Sequence, residues 1–125
     1  IPQNTEGTEV ITVSITPTNA SNLLFISFNG SGGGDNGSNF ACALFQDSTA
    51  NALATAKLPR TETNQAGLAQ LTYFMTAGTT SATTFKIRLG PASTGNFYIN
   101  GAPTNGNPQY GGTSATVLYV QELAV

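Results

Sequence analysis

Between Thr83 and Leu89 apolar and polar side chains alternate without a break. Phe85, Ile87 and Leu89 fall on one side, Thr84, Lys86 and Arg88 on the other. A period of two is that of a half-buried strand; a helix spreads the same residues around its circumference. Gly78 and the Thr and Ser residues after it mark the turn that feeds this strand. The pattern recurs along the chain. Thr8–Ile15 sets Ile11, Val13 and Ile15 against Thr12 and Ser14. Leu68–Met75 places Leu71, Tyr73 and Met75 on one face, and Ala115–Leu123 sets Leu118 and Val120 against Val117 and Tyr119. Phe40–Gln46 alternates as well, with Phe40, Cys42 and Leu44 inward or, in the opposite register, Ala41, Ala43 and Phe45. Asn51–Leu58 is alanine-rich enough for a short helix, but its apolar spacing and the following Pro59 favour a strand. Asn96–Asn100 predicts a further short strand.

Turn chemistry separates these runs at Pro17–Asn22, Asp47–Thr49, Arg60–Gly67 and Gly90–Gly95. Two connections are longer. Asn29–Asn39, NGSGGGDNGSN, predicts a flexible surface loop by composition, and Gly101–Gly112 predicts a loop of the length at which function is often carried. About eight short strands with turns between them predict an all-β fold, a single-domain antiparallel β-sandwich of the jelly-roll kind over residues 1–125. Ile1–Gly7 is a lead-in segment in which Pro2 argues against a central strand; without a starting methionine, it is expected to continue from an N-terminal region or a processed end.

One strand breaks the alternation. Leu23–Phe28, LLFISF, is apolar on both faces, Leu24, Ile26 and Phe28 on one and Leu23 and Phe25 on the other. A strand of this kind needs two covers. One is the sandwich core; the second is another layer or another subunit.

Composition removes several function classes. Only 8% of the residues are charged, with a formal net charge of -2, and there is no basic stripe for a nucleic-acid partner. No apolar run reaches the roughly 18 residues of a membrane span, and no membrane insertion is expected. Histidine is absent and Cys42 is the only cysteine, which leaves no disulfide within the chain, removes the usual catalytic base and cannot supply a zinc site. Cys42 itself is expected to be a small buried hydrophobe. The carboxylates Glu6, Glu9, Asp35, Asp47, Glu62 and Glu122 show no spacing that pairs two of them for glycoside hydrolysis. No enzyme activity, cofactor or metal is expected, although the oxygen-rich run Asp35–Asn39 leaves a hard cation conceivable. The Asn-X-Ser strings beginning at Asn19, Asn29 and Asn36 are of the number expected by chance in so polar a chain.

Three blocks in order carry a family resemblance: Ile1–Thr16; Ala43–Ala52 with Met75–Arg88; and Phe97–Gly101 with the Tyr110–Gly112 turn and a last apolar strand running to Val125. Together they resemble the C-terminal β-domain that recurs in bacteriophage tail-fibre and related virion proteins. The resemblance implies a jelly-roll head that trimerises in the manner of tumour-necrosis-factor and C1q domains, one sheet of each subunit packing around the threefold axis. Leu23, Phe25, Val117 and Tyr119 then become the expected interface; packing inside one subunit or under a loop is the alternative. The implied role is a homotrimeric host-attachment head on a virion, with a host-surface glycan or protein and other virion proteins as partners. A capsid-decoration or tail-assembly piece without a ligand is the second reading, and a glycan-degrading head the third. Loop tips are the expected ligand surface: Asn36 and Asn39 in one loop, Asn105, Asn107, Gln109 and Tyr110 in the other. A tyrosine flanked by amides suits a sugar ring; as an alternative, Tyr110 packs down as a plug beneath Gly111 and Gly112.

Overall fold

The computed structural model describes residues 1–35, 39–58 and 64–125. Eight strands run in the order β1 (Thr8–Ile15), β2 (Leu23–Gly34), β3 (Phe40–Gln46), β4 (Ala54–Leu58), β5 (Ala66–Thr76), β6 (Thr83–Pro91), β7 (Phe97–Ile99) and β8 (Val117–Leu123). They form two antiparallel sheets. The first has the order β1-β6-β3-β4. In the second, β2 is central: β5 lies along one edge, while β8 covers Leu23–Asn29 and β7 covers Gly32–Gly34 on the other. The chain is an all-β sandwich, the expected starts of β1 and β3 match the structure, and of the strand expected over Asn51–Leu58 the part Ala54–Leu58 is strand.

The core lies where the inward sets of both sheets meet. Leu24, Ile26 and Phe28 of β2 pack against Cys42, Leu44, Phe85 and Ile87 of the first sheet, with Leu71 and Leu118 beside them. Phe40, Cys42 and Leu44 are therefore the inward set of β3. A bulge between Glu9 and Ile11 adds one residue to β1, so Val10 and Ile11 both reach the core. Each fully buried aliphatic or Phe side chain contributes about 1.5–3 kcal/mol relative to exposure.

Asn29–Gly34, the first half of the stretch that composition predicts as a flexible loop, is strand. These residues continue β2, and residues 36–38 of the predicted loop lie outside the described residues. The glycines are there for close approach. A Cβ on Gly32 would stand 2.3 Å from the Tyr98 carbonyl oxygen, and one on Gly33 would stand 2.4 Å from Cβ of Pro103. Glycine thus lets β7 and the following loop lie directly on the strand.

Phe45 departs from the simple two-sided picture. It sits opposite Lys86 on the outward side of the first sheet, yet it is fully buried. The lead-in segment lies across it. Asn4 N–H donates to Ala50 O, Ala52 N–H to Pro2 O, and Asn4 Nδ2 to Ser48 O and Thr49 O. Arg88 holds the same segment from below, its Nε and Nη2 donating to Glu6 O at 2.7 Å and Gly7 O at 2.8 Å.

Candidate functional site

Charge is sorted between the two outer faces. Glu9, Lys57, Lys86 and Arg88 project from the outer side of the first sheet, where Glu9 Oε2 lies 3.9–4.0 Å from Arg88 and Lys86. Among the described residues, none on the outer side of the second sheet is charged. β5 places Leu68, Gln70, Thr72, Phe74 and Thr76 there, β2 places Leu23, Phe25, Ser27, Asn29 and Ser31, and β8 places Val117, Tyr119, Gln121 and Leu123.

Register brings the aromatic residues of this face together. Phe25 pairs with Phe74, their ring centroids 4.9 Å apart and tilted at 37°, and Tyr119 meets Phe25 edge-on at 6.3 Å. Phe74 is 55% exposed, Val117 52% and Tyr119 46%. Leu23, Phe25, Val117 and Tyr119 therefore share one outward surface, and none of them is sealed inside the subunit. Phe74 and Leu68 belong to the same surface and were missed in the sequence. Their signal is the unbroken apolar run Tyr73-Phe74-Met75, which makes this part of β5 two-faced, as β2 is.

The second candidate surface lies at the Gly34 end of β2. Asn39 reaches this end through its carbonyl, which accepts Ala92 N–H, and the 100–113 loop crosses it by way of Asn100 N–H donating to Ser31 O. Asn36 lies outside the described residues. The amides are partly engaged in shaping turns: Asn105 Oδ1 accepts Asn107 N–H at 3.0 Å, and Asn107 O accepts Ala102 N–H. Tyr110 opens a single 3-10 turn, Tyr110–Gly112, with left-handed φ values of 52°, 67° and 85° at Tyr110, Gly111 and Gly112. Left-handed backbone costs a tyrosine roughly 1–2 kcal/mol. The ring is 83% exposed, so Tyr110 does not pack down as a plug.

Carboxylates serve the fold. Asp35 accepts Asn96 N–H at 2.9 Å and Asn96 Nδ2 at 2.6 Å, and these bonds hold its pKa below the usual value. Asp47 Oδ1 accepts Thr84 N–H, and Glu6 Oε2 accepts Gln3 N–H. Glu122 clamps β8 to the β1–β2 turn. Its carboxylate accepts Thr18 N–H at 2.8 Å, Asn22 Nδ2 at 2.8 Å, Thr18 Oγ1 at 2.9 Å and Asn19 N–H at 3.1 Å. These bonds, led by that from Thr18 N–H, lower its pKa to about 2. Burial pushes the Cys42 thiol up to about 12. Among the described residues no three His, Cys, Asp or Glu side chains gather as a metal site, and no helix is long and apolar enough to cross a membrane.

Neither a protein-family model nor a curated protein matches the chain.

Proposed function

We propose that this domain is the homotrimeric head of a virion appendage, assembled through the outer face of the β5-β2-β8 sheet and used to attach to a host cell surface. One observation carries the assembly: an outward sheet face with three clustered aromatic rings and, among the described residues, no charge, while Glu9, Lys57, Lys86 and Arg88 stand on the opposite face. Interface cores are depleted of charge and enriched in Tyr and Phe, and an uncharged face meets a copy of itself without repulsion. The number of subunits and the virion setting come from the three ordered sequence blocks.

Light scattering at tens of micromolar is expected to report three times the 12.8 kDa chain mass. Phe74→Asp places a charge in the aromatic cluster and is expected to return the monomer with its fold intact by circular dichroism. A monomeric wild-type protein overturns the assembly. The labelled trimer is expected to adsorb to bacterial cells; a trimer that adsorbs to none reduces the role to decoration or assembly.

A further inference from the structure

The outer face of the second sheet ends in an open groove of about 340 Å³, bounded by Leu68, Gln109 and Tyr110 and floored by Ser31, Gly67 and Ser114. This volume is at the lower end of those that hold small molecules. Its two apolar walls are both exposed, Leu68 at 58% and Tyr110 at 83%. On the floor, Ser31 Oγ and Ser114 Oγ share a hydrogen bond of 2.7 Å, leaving further hydroxyl capacity toward the groove. Among the described residues no charged side chain lines it.

Tyr110 is held in place by its turn. Thr113 N–H and Oγ1 both donate to Tyr110 O, at 3.3 and 2.8 Å, and Gly112 N–H donates to Gln109 O at 2.9 Å. The backbone at Tyr110 is one that glycine or asparagine adopts with less strain. The fold gains little from the ring, which stands in solvent. A strained position that presents a side chain the fold does not need points to a role outside the fold.

We infer that this groove binds a neutral saccharide ring. A pyranose has an apolar C–H face and a rim of hydroxyls. The face stacks on Tyr110 with Leu68 alongside, and the rim meets the Gln109 amide and the Ser31–Ser114 hydroxyl pair. The described lining offers hydroxyls, an amide and apolar surface and no ion-pair partner, which suits an uncharged sugar better than a sialic or uronic acid. The groove lies at the far end of the assembly face and shares Leu68 and Ser31 with it: Ser31 is six residues beyond Phe25 on β2, about 20 Å along the strand from the aromatic cluster. The inference deepens the host-attachment reading and rests on it for the origin of the sugar.

Saturation-transfer NMR on the wild-type protein, with millimolar methyl glycosides of glucose, galactose, mannose and N-acetylglucosamine, tests it. Transfer to the ring C–H protons of at least one of them is expected, and none to methyl glucuronide. Tyr110→Gly is expected to weaken binding about tenfold, the worth of one stacked ring, while Tm stays level or rises as the backbone strain is relieved. Tyr110→Phe keeps the ring and is expected to keep most of the binding. Absence of transfer from all four neutral glycosides, or transfer unchanged in Tyr110→Gly, overturns the inference. A fall in oligomeric mass in Tyr110→Gly also overturns it, because the shelf is then a contact between copies. Saccharide binding by a monomeric wild-type protein would refute the assembly and leave the groove standing.

Discussion

Glu122 shows how a single charged side chain in an apolar strand can serve the fold. As a lone acid in an apolar strand it invites a catalytic reading. In the fold its carboxylate gathers donors from Thr18, Asn19 and Asn22 and closes the last strand onto the first turn. Its folded pKa of about 2 lies below the ordinary 4.5. The ionised form is therefore favoured by folding. The stabilisation is fully present above pH 4.5 and is lost as pH falls toward 2. Thermal melts are expected to show Tm declining across that window. Glu122→Gln, which offers one acceptor oxygen and turns an amide NH2 donor toward the same donors, is expected to lower Tm at pH 7 and to flatten the acid slope. An acid slope unchanged in the variant would assign it to other carboxylates, Asp35 first, whose pKa is also lowered.

At the scale of elements, the lead-in segment acts as a strap and not as a loose end. Phe45 forms a small second core on the outward side of β3, and the strap covers it through backbone bonds to 50–52 and the Arg88 staple. Phe45→Ala is expected to cost about 3–5 kcal/mol in urea unfolding, as for a fully buried aromatic. A cost below about 1 kcal/mol, the level of a surface substitution, would mean that the strap lifts freely in solution. The glycines of β2 tell a similar story. Gly32 and Gly33 are not linker residues, because β7 and Pro103 occupy the space that side chains would need.

For the whole molecule, the division of charge between the two outer faces is the organising property. One face carries Glu9, Lys57, Lys86 and Arg88 and is suited to water; the other carries Phe25, Phe74, Val117 and Tyr119, and its other described residues are leucines and neutral polar side chains. Association that covers the second face links stability to concentration by mass action. The apparent Tm of the wild-type protein is expected to rise as its concentration is raised from one to a hundred micromolar. Phe25→Ser is expected to abolish that dependence. A wild-type Tm independent of concentration over this range would count against an assembly that exchanges with monomer.

Local chemistry determined most of the fold. Alternation depends only on neighbours along the chain, so the bounds of β1 and β3 and the facing of Leu118 against Tyr119 were legible in the residues alone. So was the surplus of apolar residues on the second face of β2. What covers a residue was decided by tertiary structure. Composition marks Gly30–Gly34 as loop because it cannot know that β7 and Pro103 press upon the strand. Phe45 counts as outward by period, yet it is fully buried, with Pro2 of the returning N-terminal segment beside it. Phe74 joined the aromatic face through its register with Phe25, 49 residues away in sequence. Tyr110 was decided by three left-handed residues in a row, which aim its ring at solvent. Pairing register and loop return are long-range properties, and a period of two carries no information about either.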